Sequence, residues 1–344
     1  MTTRATIRDV ADRAGVSVAT VSRVMNEKGD VSDETREKVR AAATALGYLS
    51  ASTARALVAQ RTRLVAVVVG DNSGHRDLSM MFFSKVIGAI SRRLTHSHYE
   101  PLLLVDDESD VTPGEAILDH QFDAAIVIGV DDDDPLIDSL AARRVPLVGI
   151  DVRCGGPHAA FVGSDHADGV RLALGHLYAL GHRRIAHIAG AANTVSGRER
   201  LAAFQTEADR LGLDVPGDYV RAADFSSASG YAEACAVLAL ATPPTAIVVA
   251  SDLMALATLQ AIRDFGLTPG SDVSVVGFDD LEPASLAHPP LTTIRQDRGA
   301  LGTLAATRAI EMIEHPEAPS RGAVVPVELV VRASSSAPTR EQRS

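Results

Sequence analysis

From residue 64 onward one phrase recurs: an apolar run of strand length, a Gly or Asp, then a stretch of helical periodicity. The first runs are "LVAVVVG", "PLLLVD", "DAAIVIG", "VPLVGID" and "AFVGSD". After residue 166 the series restarts with "RIAHIAG", "YVRAADF", "TAIVVAS" and "VSVVGFD". Strands that are apolar throughout and alternate with helices build parallel sheets covered on both faces. Two series predict two doubly wound lobes. Ligands of such sheets lie beyond the carboxyl ends of the strands. Here those ends carry Gly70-Asp71, Asp106, Gly129, Asp151, Ser164-Asp165, Ser251-Asp252 and Asp279-Asp280. Small and acidic groups therefore line one rim, facing a cleft between the lobes.

The first 63 residues read differently. Ile7, Val10, Ala11 and Ala14 share one helical face, with Thr6 ahead of them as a cap. Gly15 ends that helix in a tight turn. Ser17 can cap a second helix whose Val21, Val24 and Met25 face inward. A third follows in "KGDVSDETREKVRAAATALGY", with Ser32 as N-cap, Asp33 and Glu34 at its positive end and Gly47 as its stop. Helix, turn, helix and supporting helix is the helix-turn-helix arrangement. Charge agrees: residues 1–63 hold 11 Arg/Lys against 7 Asp/Glu, and the rest 22 against 37. Such a basic head can approach phosphate while the acidic body stays off it. The second helix, in "VSVATVSRVMN", exposes small and hydroxylated side chains, as a helix entering a major groove must. Val18 and Ala19 suit thymine methyls, while Ser17, Thr20, Ser22 and Asn26 suit phosphate oxygens. Arg23 suits guanine or phosphate. Thr6, Ser32 and Thr35 join this DNA-facing set. An ordinary small helical bundle with a Ser-rich surface is the competing reading; charge, spacing and N-terminal position argue against it.

"TIRDVADRAGVSVATVSRVMN" and "VSDETREKVRAAATALGY" closely resemble the DNA-binding head of the LacI/GalR family of bacterial transcriptional regulators, and the resemblance runs through nearly the whole chain. It implies that Val18 and Ala19 hold base-reading positions and that Arg23 is the recognition-helix Arg. It implies that "SASTARALVAQ", residues 50–60, is a hinge that turns helical on DNA, pairs with its twin and wedges Leu57 into the minor groove. Ser50-Ala51 stand where the family usually has Pro-Asn, and a plain flexible linker is the alternative. For the body it implies likeness to periplasmic sugar-binding proteins. The segments "GID" with Asp151, "SGRERLAAF" with Arg200, "VASDLMALA" with Ser251 and Asp252, and "VSVVGFDD" with Asp279 correspond to family pocket segments. Phe225 sits where the family often places a ring under the ligand. "MMFFSKVIGAI" resembles a helix start that brings Phe82 or Phe83 to the cleft, although "GDNSGHRDLSMM" replaces the usual Pro-Asp and Asn-Pro. Gln296 lies at a lobe crossover. Asp151 and Asp279 would accept from adjacent hydroxyls, and Arg200 would donate in a planar fork. An Asp at a strand end also serves simply as a helix cap, and the Phe residues as core.

The resemblance gives an all-α helix-turn-helix head at 1–49, a hinge at 50–62 and a periplasmic-binding-protein-like α/β body at 63–333. Lobe 1 is expected at about 64–163 and 294–323, and lobe 2 at about 164–293 and 324–333. The polar tail 334–344 reads as disordered. It lacks apolar heptads, so a homodimer is expected rather than a tetramer. The expected function is a ligand-responsive DNA-binding regulator: a repressor of a carbohydrate-catabolism operon, released by a sugar from a near-palindromic operator. Purine-type corepression stays open as the alternative. Partners are operator DNA, a small-molecule effector and a second copy, with no cofactor and no metal. Asp131–Asp134 lacks calcium-loop spacing. Ser164, Asp165 and His166 are neighbours in sequence, which is not how a catalytic triad is built. No Walker loop or G-x-G-x-x-G appears. An enzyme on this scaffold is therefore not expected. A sugar-transport protein would share the body but need a signal peptide and no head; "MTTRATIRDV" lacks an apolar signal core. No apolar run approaches the roughly 20 residues that span a bilayer. A cytoplasmic protein is expected, on the nucleoid when bound to its operator.

Overall fold

The computed structural model describes residues 7–25, 31–46, 62–70, 76–105, 117, 122–131 and 133–339. It divides into two compact units: a head of residues 1–63 with 121–123, and a body formed by the remainder.

In the head, α1 (Ile7–Ala14), α2 (Val18–Met25) and α3 (Asp33–Ala45) surround one small core. Val10 and Ala11 from α1, Val21 and Val24 from α2, and Val39, Ala42 and Ala43 from α3 are buried together. Gly15 adopts φ +65° between the first two helices, and a Cβ there would meet nothing. The turn thus needs glycine for its backbone, not for space. Ser17 Oγ accepts from Thr20 N (3.1 Å) and caps α2, and Ser32 Oγ accepts from Thr35 N (3.4 Å) at the start of α3. The cap, turn and inward-facing valines are where periodicity puts them. Thr6, Gly47 and the hinge 50–61 lie outside the described residues.

The body holds two six-stranded sheets. Sheet 1 is built from β1 (Leu64–Val69), β2 (Glu100–Val105), β3 (Ala124–Ile128), β4 (Leu147–Ile150), β5 (Ala159–Ser164) and, far along the chain, Ala323–Val325. Helices α4 (Arg76–His96) and α5 (Pro135–Ala142) follow its strands. Asp134, the last of the four-Asp run, caps α5 through Leu136 N at 2.8 Å. Sheet 2 follows α6 (His166–Ala179) and contains β6 (Ile185–Ala189), β7 (Val220–Ala222), β8 (Ala246–Val249) and β9 (Ser274–Asp279). Between them run α7 (Val195–Leu211), α8 (Ser227–Leu238) and α9 (Asp252–Asp264). After α10 (Glu282–Leu286), β10 (Thr292–Gln296) joins sheet 2 beside β9. The chain then enters lobe 1 as α11 (Arg298–Glu314), which packs on α4. A Cβ at Gly302 would lie 2.3 Å from Val86 O, so this glycine permits the close helix contact. The strand β11 (Ala323–Val325) extends sheet 1 beside β5; across Pro326, β12 (Val327–Val330) pairs antiparallel with β10 in sheet 2.

Both faces of the strands are used. In sheet 2, Ala186, Ile188, Ile247 and Val249 pack under α8 and α9, while Ile185, Ala246 and Val248 pack under α6 and α7. That alternation explains strands apolar at every position. Among the described residues no helix is long and apolar enough to cross a membrane.

Three expectations need correction. Residues 294–296 belong to lobe 2, because β10 completes its hydrogen bonding on β9 before the chain crosses. Residues 324–325 belong to lobe 1 through their pairing with Gly163 and Ser164. The tail is ordered from 334 to 339. Ser334 is fully buried; its hydroxyl donates to Val275 O (2.7 Å) and accepts from Thr292 N (2.7 Å). His182 Nε2 meets Ser336 O at 2.8 Å, and Ser336 N donates to Ser274 Oγ at 3.0 Å. Polar residues here are held by polar partners on sheet 2, which composition alone does not reveal. Residues 340–344 lie outside the described set.

Candidate functional site

On the head, Ser17, Val18, Ala19 and Arg23 are exposed along α2, and Thr20 and Ser22 are half-buried. Val18 is 41% exposed, high for a valine beside a three-helix core. Ser17 and Thr20 hydroxyls lie 2.9 Å apart, and Ser32 and Thr35 form a like pair at 2.8 Å. Each pair opens a helix, where free backbone N–H groups favour an anion. Asn26 and Leu57, like Thr6, lie outside the described residues.

In the body, a cavity lies at the carboxyl ends of both sheets, with about 840 Å³ between its walls, part of it open to solvent. It brings together eight of the residues singled out in the body: Phe82, Phe83, Asp151, Arg200, Phe225, Ser251, Asp279 and Gln296. The walls differ in chemistry. Lobe 1 supplies Phe82, Phe83, Ile128, Val130, Ile150 and two glycines, with Asp151 as its one polar side chain among the described residues. Lobe 2 supplies Thr194, Ser196, Arg200, Asp224, Ser251, Asp279 and Gln296 around the ring of Phe225.

Backbone geometry marks the same place. Asp151, Phe225 and Asp279 have φ of 52°, 70° and 126°, values side chains other than glycine rarely take. Each such residue costs about 1–3 kcal/mol and persists only where its surroundings impose it. Asp151 is anchored by its N–H to Val162 O (2.9 Å), and its Oδ1 accepts from Ser164 N (3.2 Å) and lies 3.0 Å from His166 Nε2. Phe225 packs its ring edge on Gly190, where a Cβ would come within 2.0 Å of Cζ. Asp279 Oδ1 accepts from Gln296 Nε2 (2.6 Å) and lies 3.9 Å from Arg200 Nη1.

Arg200 is 4% exposed. Its guanidinium stacks on Phe278 at 3.8 Å, donates from Nη1 to Ala250 O and from Nε to His166 Nδ1 (3.3 Å). Burial lowers its pKa, against the opposing pull of Asp279, Asp151, Asp252 and Glu199. Guanidinium ions stay protonated under such loads. Burial also works against the charge on Asp151, but His166, Arg200 and the Ser164 amide outweigh it and hold this carboxyl below its usual range. Asp279 goes the other way, raised by burial despite Arg200 and Gln296. Gln296 Oε1 is a buried acceptor with no protein donor among the described residues. Buried polar atoms are normally satisfied, so it is available to a ligand hydroxyl or N–H.

Asp252, grouped with Ser251 by sequence, does not line the cavity. It sits behind it, accepting from Leu281 N (2.7 Å) and Thr293 Oγ1. Burial and the adjacent Asp279 charge push its pKa well up. Thr194, Ser196 and Asp224 line the cavity without having been singled out. Thr194 had a signal, as the N-cap of α7 through Gly197 N (3.1 Å); Asp224 had only its place before Phe225.

A helix-turn-helix head on a two-lobed body, with an interlobe cavity of one apolar and one polar wall, defines a class, the ligand-sensing DNA-binding regulator. Residues 6–50 match the model of bacterial regulatory proteins, lacI family, and residues 174–335 that of the periplasmic binding protein-like domain. The chain is 35% identical over 345 residues to the lactose operon repressor of Escherichia coli (strain K12), covering 98% of this chain and 93% of that one. It is 33% identical to the HTH-type transcriptional regulator CelR of Thermobifida fusca, covering 96% and 98%. Identity to the HTH-type transcriptional repressor PurR of Photobacterium profundum is 30%, over 96% and 98%. Among solved structures, a lac repressor dimer bound to operator and the anti-inducer ONPF superposes with TM-score 0.80 at 35% identity, covering 97% of this chain and 100% of that one. A CelR–cellobiose complex superposes with TM-score 0.75 at 32% identity, covering 96% and 100%. The chain belongs to the lacI family of bacterial regulatory proteins and is a DNA-binding transcriptional regulator. These relatives are regulators rather than enzymes.

Proposed function

We propose that the protein is a homodimeric repressor of a carbohydrate-catabolism operon, released from a near-palindromic operator by a neutral, hydroxyl-rich effector held in the interlobe cavity. The observation that carries this reading is the lobe 2 wall. Asp279, Gln296 Oε1 and Asp224 offer acceptors, and Arg200 offers donors around the face of Phe225. Adjacent hydroxyls, each both donor and acceptor, match that set, and a ring's C–H face matches Phe225. Among the described residues the cavity carries three carboxylates against one guanidinium. Phosphorylated or carboxylated ligands are disfavoured by that balance.

On the head, Val18 and Ala19 read bases, and Arg23 contacts guanine or phosphate. Ser17, Thr20, Ser22, Ser32 and Thr35, with Thr6 and Asn26, set the register on the backbone, and Leu57 wedges the minor groove. The effector acts by binding one lobe arrangement more tightly than the other, which shifts the population away from the operator-competent state. Relatives solved with operator, with ONPF and with cellobiose support the two ligand classes.

A purine corepressor is the second reading, because Phe225 and the Phe82–Phe83 pair would also clasp a flat base and PurR repressors stand among the relatives. A melting screen of the full chain separates them. A compound at a hundred times its Kd stabilises by about 2.7 kcal/mol. Stabilisation by lactose, cellobiose or maltose, with loss of operator binding, supports induction. Stabilisation by adenine or guanine, with tightened operator binding, replaces it with corepression.

A further inference from the structure

His166 was set aside in the sequence as part of an accidental Ser-Asp-His run, yet it stands between two charged cavity residues. Its Nε2 is 3.0 Å from Asp151 Oδ1, and its Nδ1 is 3.3 Å from Arg200 Nε. The partners fix the tautomer. An ionised carboxylate can only accept, so Nε2 carries the proton; a guanidinium can only donate, so Nδ1 is bare. The ring is 1% exposed and leans on Phe278 with centroids 5.9 Å apart. Two equally buried histidines are used differently: His182 bonds Thr245 and Ser336 O, and His187 bonds Val248 O. Those anchor scaffold, whereas His166 bonds two side chains that line the cavity.

The connection also crosses the lobes. Asp151 follows β4 of lobe 1, whereas His166 opens α6 and Arg200 lies on α7, both in lobe 2. Asp151 spends Oδ1 on His166 and Ser164 N, and Oδ2 has no protein partner among the described residues. Arg200 spends Nε on His166 and Nη1 on Ala250 O, which leaves Nη2 without a partner among the described residues. A neutral ring inserted between opposite charges keeps them from collapsing onto each other. Without it the guanidinium and carboxylate would pair directly in a water-poor site.

We propose that His166 is the positioning residue of this cavity, a neutral spacer that holds Asp151 and Arg200 apart across the lobe boundary so that each keeps one free edge for a ligand hydroxyl. The inference rests on the cavity being the effector site. Gln offers an amide donor and acceptor at nearly the separation of the two ring nitrogens; Leu offers similar bulk with neither. The test uses full-length wild type, His166→Gln and His166→Leu, with cellobiose as the titrated probe.

Long-range ¹⁵N spectra at pH 8 should show wild-type His166 protonated on Nε2 and bare on Nδ1. A crystal structure of the Leu variant should show Arg200 turned onto Asp151, and that of the Gln variant both groups unmoved. Cellobiose affinity should fall at least about tenfold in the Leu variant and return to within a few-fold in the Gln variant, the loss expected for hydrogen bonds to charged groups. A proton on Nδ1, or Arg200 and Asp151 unmoved in the Leu variant, overturns the proposal. If that variant does not fold, displaced Arg200 or Asp151 in the Gln variant does the same. Should no sugar bind the wild type, the sugar reading fails, while the spectra and variant structures still decide the role of His166.

Discussion

Substituting Gly190 by Ala should remove ligand response while leaving the fold and operator binding intact. Gly190 follows β6 under the edge of the Phe225 ring. A Cβ there would lie 2.0 Å from Cζ, 2.3 Å from Cε1 and 2.7 Å from Cε2, all inside the 3.0 Å that real Cβ atoms keep. The ring tip must therefore move by at least about 1 Å, and the open side is the cavity. Overpacking typically costs 1–3 kcal/mol. Here about 1 kcal/mol is expected, because the displaced group is the free end of a side chain with space beyond it. The binding site loses more, since the ring enters the volume the ligand needs and its stacking face tilts: at least about tenfold in Kd, about 1.4 kcal/mol. The assays are melting with and without the sugar chosen by the screen, and operator gel shift with and without that sugar. Gly155→Ala, where a Cβ meets nothing, is the control. A Gly190→Ala protein with wild-type melting shift and induction would refute the placement of Phe225 against ligand.

Arg23→Ala should weaken operator binding by about 1–3 kcal/mol in a gel shift, and undiminished specific affinity would sink the recognition-helix assignment. Asp279→Ala should bind operator normally and lose its response to the effector; an ordinary induction curve in that variant contradicts the cavity. His187 is buried and neutral, its pKa depressed to about 4 chiefly by desolvation. The unfolded chain takes up that proton first on acidification, so stability present above about pH 6.5 is lost toward pH 4. Between pH 7 and pH 5 that is about 2 kcal/mol in urea unfolding, and a His187→Leu protein with the same pH slope would falsify the assignment. Ser17→Ala should cost about 1 kcal/mol in the melting of the head, the usual value of an N-cap.

Much of this was legible because of where residues fall on repeated phrases. Asp151, Ser251 and Asp279 end or follow apolar strands, and parallel topology puts strand ends on one rim. The three head helices were readable from Val10, Val21, Val24 and the two capping serines. What was not legible depends on distant partners. His166 matters because Arg200, 34 positions away, comes to face its Nδ1. Asp252 withdrew from the cavity because Leu281 N and Thr293 turned it inward. Which sheet receives β10 or β11 is decided by neighbours available for pairing, not by the strands' own residues. Ser334 and Ser336 look like a solvated tail until their partners on sheet 2 are known.

The interleaving of the lobes bears on how the chain is made. Sheet 1 gains its last strand only at Ala323–Val325, and sheet 2 gains its last strand at Val327–Val330, followed by the serine strap. On a ribosome, the head's core is complete by residue 46, while both lobes wait for almost the whole chain. Long loops must close before either lobe is finished, which makes the body the slow step of folding. A chain cut short before residue 323 would therefore carry a finished reading head on a body in which both sheets lack their last strand: able to touch operator DNA, deaf to the effector and a ready target for proteolysis.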